Sequence, residues 1–149
     1  MTTARPKKVV KLEDVEILEK RYVTEDLFLM WLEKPEGYVF KPGQYCTLGL
    51  GKIERAYSIV SAHYEDTLEI FVELVLDGEL TPKMWDLILG DKMSVRPRAK
   101  GIFNQDKKMH HHFMLSTVTG LAPSMSMVRQ YLHDGGHESS EEKQVFYIM

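Results

Sequence analysis

The residues with the clearest chemical potential lie in the tetrapeptide Arg55-Ala56-Tyr57-Ser58. A guanidinium can form paired hydrogen bonds with phosphate oxygens, a tyrosine ring can pack on a flat ligand, and a hydroxyl can hydrogen-bond that ligand. On a strand, Arg55 and Tyr57 share one face and Ser58 points to the other, unless the strand bends. Taken alone, the tetrapeptide fits an ordinary strand with an exposed arginine and a half-buried tyrosine equally well.

Two later turns offer further contacts for phosphate. The first is Gly78-Glu79-Leu80-Thr81-Pro82, in which Thr81 is expected to cap a short helix and Pro82 suits its first turn. The second is Val118-Thr119-Gly120-Leu121-Ala122-Pro123, which precedes a longer helix. Helix starts present unpaired N–H groups and a positive dipole end to anions. Neither turn is a Walker loop, because no Gly-Lys-Ser/Thr follows.

The composition excludes several classes of protein. The chain has 149 residues and a net charge of −3, whereas a general nucleic-acid binder usually carries a basic excess. No run approaches the roughly 20 apolar residues that a membrane span needs. The first eight residues are charged without an apolar stretch after them, so we expect no secretory signal. The single cysteine, Cys46, excludes an internal disulfide and predicts a cytoplasmic protein with a buried, inert thiol.

Alternation of polar and apolar residues predicts six strands in the first part of the chain. They lie at 9–23, 27–32, 44–50, 55–61, 68–76 and 92–98. Short strands separated by Gly- and Pro-containing turns are typical of a small antiparallel barrel. One short helix interrupts the series after Thr81, with residues 84–89 predicted as its apolar face.

The pattern changes after Lys108. A strand at 113–118 precedes a helix opened by Pro123, and a second strand is predicted at 143–149. The apolar stripe of this helix is expected to consist of Met125, Val128 and Leu132, and Gly135-Gly136 ends it. We therefore divide the chain into a barrel at 1–108 and the start of a parallel α/β domain at 109–149. A single α/β unit cannot cover both faces of its sheet, so we expect this domain to be truncated.

The run His110-His111-His112 could suggest a metal site. Adjacent residues on a strand cannot all face one ion, and no carboxylate cluster accompanies them. We expect a solvated loop between the two domains and no metal.

These motifs, with the turn Pro42-Gly43-Gln44-Tyr45, resemble the short bacterial type of the ferredoxin/flavodoxin–NADP reductase family, from about Lys20 to Met149. The resemblance implies a mainly β protein, with a six-stranded antiparallel Greek-key barrel that binds FAD and a partial α/β domain that binds NADP(H). It implies electron transfer between NADPH and ferredoxin or flavodoxin as redox partner. One departure is Val118, which replaces the first glycine of the family's Gly-Thr-Gly and cannot make the same close backbone approach.

The resemblance also implies a role for each matching residue. Arg55 would bind the flavin's phosphates, Tyr57 would pack on its ring system, and Ser58 would hydrogen-bond near its reactive nitrogen. The backbone around Phe71 to Glu73 would line the flavin, and the helix start at Leu80 and Thr81 would meet its phosphate. The turn at Thr119 and Gly120 would contact the nicotinamide cofactor. The implied catalytic residues are Ser58 and Tyr57; the implied cofactor-binding residues are Arg55, Ala56, Tyr57, Ser58, Phe71, Val72, Glu73, Gly78, Leu80, Thr81, Thr119 and Gly120.

Two alternatives remain open at this point. The chain could be a flavin-binding electron-relay module without its own nicotinamide chemistry. It could also be the reductase component of an oxygenase, although that would need an added ferredoxin domain with four cysteines, and this sequence has one cysteine.

Overall fold

The computed structural model describes residues 11–136 and 143–149. The elements of these segments are β1 (Glu13–Tyr22), β2 (Leu27–Glu33), β3 (Tyr45–Leu50), β4 (Ile53–Ser58), β5 (Thr67–Glu73), α1 (Thr81–Asp86), β6 (Lys92–Val95), β7 (His111–Met114), α2 (Leu121–His133) and β8 (Val145–Ile148). A single 3-10 turn, Val118–Gly120, precedes α2.

The first six strands form one antiparallel sheet in the order β4-β3-β6-β1-β2-β5. The two end strands meet just beyond β4, where Ile59 bridges Ile70 and the N–H of Val60 donates to the carbonyl of Glu69 at 2.8 Å. Closing the sheet in this way removes its unpaired edges. The predicted six-stranded antiparallel Greek-key barrel is confirmed, with five of its six strands shorter than the sequence pattern indicated. Residues 9 and 10 of the first predicted strand lie outside the described residues.

The barrel interior is filled by the alternate residues of its strands. On β2, the buried side chains are Phe28, Met30 and Leu32, which follow the predicted period of two. Cys46 is fully buried in the same core, as expected, and burial raises the pKa of its thiol to about 12. The thiol is therefore neutral at ordinary pH and unsuited to nucleophilic chemistry.

Helix α1 differs from its prediction at both ends. Thr81 does not cap the helix, because the N-cap is Leu80 and the Thr81 hydroxyl bonds to Val75 instead. Of the predicted apolar face, Met84 is buried, whereas Ile88 and Leu89 lie beyond the helix and are exposed.

A lysine from β1 supports the C-terminal end of α1. The Lys20 ammonium donates to the carbonyls of Met84, Trp85 and Leu87 at 3.0, 2.5 and 3.0 Å. These are the carbonyls that a helix end leaves without partners, and a cation there is favoured by the helix dipole. Lys20 therefore fixes α1 against the barrel.

The predicted strand–helix–strand unit is present, although its strands are β7 (His111–Met114) and β8 (Val145–Ile148) rather than 113–118 and 143–149. Strands β7 and β8 pair in parallel and α2 connects them. The prediction of a histidine loop was wrong for two of its three residues, because His111 and His112 lie in β7 and pair with Val145 and Phe146 of β8. The pairing is reinforced by ring stacking between His112 and Phe146 at 4.9 Å.

The predicted apolar stripe of α2 was wrong. The buried residues are Ala122, Pro123, Ser124, Ser126 and Met127. Leu132 is instead about half exposed, and Met125 and Val128 are only partly buried. The helix does end as predicted, with Gly135 at φ 76° just after its C-cap.

Neither α1 nor α2, the helices of the described segments, has the length and apolar content needed to cross a bilayer.

Candidate functional site

A cleft of about 320 Å³ opens where the barrel meets the turn that precedes α2. Its walls come from β4, from β5 and the residues after it, from the start of α1 and from the 3-10 turn. The lining residues are Ala56, Tyr57, Ser58, Phe71, Val72, Glu73, Val75, Thr81 and Thr119.

Eight of the twelve predicted cofactor-binding residues line this cleft. The four that do not are Arg55, Gly78, Leu80 and Gly120. Val75 is the one lining residue that the sequence reasoning missed. The sequence indicated its position, because Val75 lies at the end of the predicted strand 68–76, just before the turn at Gly78. In the structure its side chain is exposed.

Tyr57 and Ser58 form the β4 wall. The Tyr57 ring packs partly against the barrel core, and burial raises the pKa of its phenol to about 12, against a lowering by the nearby Arg55 charge and a further rise from Cys46. The phenol is therefore neutral, and its ring offers an amphipathic surface to the cleft. No hydrogen bond within the described segments engages the Ser58 hydroxyl, so it can donate or accept.

Arg55 is turned toward the segment before α1. One of its guanidinium nitrogens, Nη2, donates to Oε2 of Glu79 at 2.5 Å, and Nη1 donates to the carbonyl of Glu54 at 2.8 Å. The side chain is more than half exposed and does not line the cleft. Its role as a phosphate ligand stays a prediction.

The turn before α1 is tightly built. The Thr81 hydroxyl accepts from the N–H of Val75 at 2.9 Å and donates to its carbonyl at 3.2 Å, and the N–H of Gly78 donates to that carbonyl at 2.8 Å. A Cβ on Gly78 would lie 2.9 Å from the Val75 carbonyl oxygen, so this position needs glycine.

These bonds change what Thr81 can offer a ligand. Its hydroxyl proton is already used by Val75, so the hydroxyl cannot donate to a phosphate in this arrangement. In the described part of the chain, no hydrogen bond uses the backbone N–H of Leu80 or Thr81. These N–H groups are therefore the donors that the turn has available.

The 3-10 turn carries the main departure from the family pattern. Val118 has φ 44°, a left-handed conformation that is a genuine outlier for a β-branched residue. Thr119 follows it and lines the cleft from the α/β side, while the N–H of Gly120 donates to the carbonyl of Thr117 at 2.9 Å. The backbone thus keeps a conformation suited to glycine although the residue is valine.

Polar contacts hold α2 on the barrel and so set the position of Thr119. Arg129 donates to Oε2 of Glu69 at 2.5 Å, and the Glu69 side chain is only 5% exposed. Ser126 donates to the carbonyl of Ser61 at 2.7 Å in a buried contact. Sequence reasoning missed this junction, because serine and arginine on a helix usually indicate a solvated face.

The Pro42-Gly43 turn approaches the same junction from the barrel side. Gly43 has φ 96°, and a Cβ there would collide with the carbonyl of Phe103 and the methyl group of Met127. Only glycine combines this backbone angle with such a close approach. The turn that contributed to the family resemblance therefore has a structural function at the junction of the two units.

A larger cavity, of about 910 Å³, lies near the other end of α2. Its lining includes Lys41, Lys107, Lys108 and His110 beside Asp134. It shares no residue with the cleft and contains none of the predicted site residues. Size alone therefore does not locate the chemistry, and the cleft is the better candidate site because three separate motifs meet there.

Known proteins with similar sequences carry one recurrent name. No family model matches the chain. It is 35% identical over 119 residues to ferredoxin–NADP reductase A of Sorangium cellulosum, covering 76% of this chain and 43% of that protein. It is also 35% identical over 119 residues to ferredoxin–NADP reductase of Pseudomonas aeruginosa, covering 76% and 46%.

Solved structures agree with the sequence comparison. A ferredoxin–NADP+ reductase from Neisseria gonorrhoeae, crystallised with FAD and NADP bound, superposes with a TM-score of 0.76 at 28% identity, covering 95% of this chain and 68% of that one. A phthalate dioxygenase reductase superposes equally well at 22% identity, which shows a shared fold alone.

The chain spans just under half the length of the two curated relatives. Within that span the barrel, the cleft-lining motifs and the parallel α/β unit occur in the predicted order. The sequence and fold comparisons together confirm the predicted resemblance to the ferredoxin/flavodoxin–NADP reductase family, over a stretch that matches just under half of each of these two relatives.

Proposed function

We propose that the cleft binds FAD and that the protein transfers electrons between NADPH and ferredoxin or flavodoxin. The observation that carries the proposal is the meeting of Ala56–Ser58, Phe71–Glu73, Thr81 and Thr119 around one cleft. The gonococcal relative, whose structure holds FAD and NADP, supports the choice of cofactors. In this proposal residues 1–108 form the FAD-binding domain and residues 109–149 contribute to an NADP(H)-binding domain.

The donors of the cleft suit a flavin nucleotide. Tyr57 offers a neutral, half-buried ring on which a flat ring system can pack, and Ser58 offers a hydroxyl without another partner in the described segments. Phe71–Glu73 form the β5 part of the wall. The backbone N–H groups of Leu80 and Thr81 would donate hydrogen bonds to phosphate oxygens, and Gly78 keeps their turn compact.

The protein's contribution to the redox reaction is binding and orientation. FAD, when bound, supplies hydride acceptance and single-electron delivery. Tyr57 would hold the ring system in place, and Ser58 would hydrogen-bond it near the reactive nitrogen. Arg55 would neutralise phosphate charge once its contact with Glu79 is released.

The nicotinamide side of the proposal rests on fewer residues. Thr119 reaches the cleft and Gly120 is the N-cap residue of α2, so both lie where a second cofactor could meet the first. We assign them to NADP(H) contact. Ferredoxin or flavodoxin as electron partner is proposed from the names of the relatives, and a cytoplasmic location from the single, buried cysteine.

One observation favours an alternative function. The strained Val118 replaces the first glycine of the nicotinamide-binding motif, so the turn is less suited to close approach by a cofactor. A flavin-binding electron-relay module, which receives electrons from another protein, would not need that approach.

The test begins with FAD titration of the purified 149-residue chain, followed by flavin fluorescence and absorbance. We expect a two-band flavin spectrum and saturable binding. Ala56→Trp should fill the cleft and weaken binding at least tenfold, whereas Lys52→Trp, an exposed site outside the lining, should leave binding unchanged. Absence of FAD binding by the parent chain, or equal binding by Ala56→Trp, would contradict the proposal.

A second measurement separates the two candidate functions. The FAD-loaded protein is mixed with NADPH without oxygen, and loss of the flavin absorbance is followed. Reduction by NADPH supports the reductase. Reduction by dithionite but not by NADPH is the result expected of the relay module and also of a reductase whose NADP(H)-binding domain is incomplete, so reduction by NADPH is the outcome that separates the two functions.

A further inference from the structure

Arg55 and Glu79 form an ion pair that joins two segments of the proposed FAD site. Nη2 of Arg55 donates to Oε2 of Glu79 at 2.5 Å, across 24 residues of sequence from β4 to the turn before α1. The two side chains are 53% and 68% exposed, so a ligand can reach both groups.

The backbone that carries Glu79 is fixed. Its neighbour Gly78 donates to the Val75 carbonyl at 2.8 Å, and the Thr81 hydroxyl both accepts from and donates to Val75. Glu79 lies between these two anchored residues. The backbone at Glu79 therefore has little freedom to move, and from this position its carboxylate reaches Arg55.

Carboxylate and phosphate compete for the same donors. A guanidinium presents a planar fork of N–H groups that binds either anion in the same geometry. Within the described segments, Nη1 of Arg55 donates to the Glu54 carbonyl and Nη2 donates to Glu79, so a phosphate that approaches this edge of the guanidinium meets nitrogens that are already engaged. A carboxylate left beside a bound pyrophosphate would also repel it.

From this geometry we infer that Glu79 is an affinity-setting residue, which competes intramolecularly with the phosphate of the cofactor for Arg55. The inference rests on the proposed function, since it takes the phosphate to be that of FAD. Binding of FAD breaks the Arg55–Glu79 pair and frees the Glu79 carboxylate to solvent. Breaking the pair weakens the binding of flavins that carry phosphate. A flavin without phosphate binds without breaking it.

The size of the effect follows from the exposure of the pair. Because both side chains face solvent, removing the competing carboxylate should tighten FAD binding by about three- to fivefold, the scale of an exposed ion pair. Salt should reduce this gain, because screening weakens interactions between exposed charges.

The experiment compares Glu79→Gln with a matched charge control on the same turn. Asp77→Asn removes one exposed carboxylate two residues away that has no hydrogen bond to Arg55 in the described segments. Each variant of the 149-residue chain is titrated with FAD and with riboflavin at low ionic strength. Glu79→Gln is also titrated in an Arg55→Gln background.

We expect Glu79→Gln to bind FAD three- to fivefold more tightly and riboflavin unchanged, Asp77→Asn to change FAD binding by less than twofold, and the Glu79→Gln gain to disappear when Arg55 is replaced. Unchanged or weaker FAD binding by Glu79→Gln would overturn the inference, as would an equal gain with riboflavin or in Asp77→Asn. If the parent chain binds FAD and these differences are absent, the proposed function survives and the inference does not. If no variant binds FAD, both are contradicted.

Discussion

The barrel and the α/β unit differ in how completely they bury their apolar side chains. The core cluster of the barrel lies between Val15 and Val95, and the closed sheet surrounds it. In the α/β unit, α2 packs on one face of the β7–β8 pair, with Tyr131 against Phe146. On the strands themselves or just after them, Phe113 and Leu115 are 70% and 84% exposed.

The difference shows where each unit finds its stability. The barrel closes its own hydrogen-bond ladder and core, so it depends little on its neighbours. The α/β unit has two parallel strands, which usually need cover on both faces. Its order depends on the junction with the barrel, formed by Arg129–Glu69, Ser126–Ser61 and the approach to Gly43.

The largest expected effect is that of Gly43→Ala. The added methyl group would collide with the Phe103 carbonyl and Met127, at a backbone angle of φ 96° that alanine adopts poorly. We expect the free energy of unfolding to fall by about 3 kcal/mol or more, because strain and a clash at the junction add. Urea denaturation followed by circular dichroism measures it.

Gly37→Ala is the matched control. Gly37 also has a left-handed backbone, φ 73°, but a Cβ there meets nothing within 4 Å. The free energy of unfolding of Gly37→Ala should fall by only about 1–2 kcal/mol, the cost of the backbone angle alone. Equal losses for the two variants would show that the approach of Phe103 and Met127 contributes nothing to stability.

A somewhat smaller effect is expected for Arg129→Met. This substitution leaves the buried Glu69 carboxylate without its cation, which should cost about 2–3 kcal/mol, discounted because the Arg129 side chain is partly exposed. Hydrogen exchange should show faster opening of α2 while the central barrel strands keep their protection.

The double variant Arg129→Met/Glu69→Gln tests the cause. With the buried charge removed, a large part of the lost protection of α2 should return. If the single variant instead accelerated exchange equally in α2 and in β1 to β3, the two units would unfold together, and the contrast between them would be wrong.

The sequence predicted the barrel well for a physical reason. Where a strand has one face in the core, burial imposes a period of two that is visible in the residues themselves, as on β2. Cys46 was predicted correctly on the same basis, because apolar neighbours on its strand indicate a core position.

The junction could not be predicted in the same way. The face of α2 that packs on the barrel contains Ser126 and Arg129, whose partners Ser61 and Glu69 are 65 and 60 residues away in sequence. A hydrophobic pattern reports apolar burial, so it selected Leu132, which faces solvent.

Within the cleft, local sequence again gave only part of the answer. The motifs identified which backbone segments meet, but Thr81 was predicted as a helix cap and bonds to Val75 instead. Arg55 was predicted to face phosphate and pairs with Glu79. In both cases the partner is a group on a neighbouring turn, whose position follows from the folded barrel rather than from the spacing of the motif.

The smallest expected effect, of opposite sign, concerns Val118 in the α/β unit. At φ 44° a β-branched residue costs about 1–2 kcal/mol of folding free energy, whereas glycine adopts this angle freely. Glycine loses about 0.5–1 kcal/mol more backbone entropy on folding. We therefore expect Val118→Gly to stabilise the folded state by about 0.5–1 kcal/mol. Thr117→Gly is the matched control, because Thr117 has an ordinary extended backbone at φ −118° and glycine there brings only the entropic loss. Hydrogen exchange of the α2 amides should therefore slow in Val118→Gly, quicken in Thr117→Gly, and leave the barrel strands unchanged in both. Equal destabilisation by the two variants would show that Val118 is not strained. A gain confined to α2 would show that the departure from Gly-Thr-Gly lowers the stability of the less self-sufficient unit, because Val118 lies in the turn that begins α2 and outside the strands of the barrel.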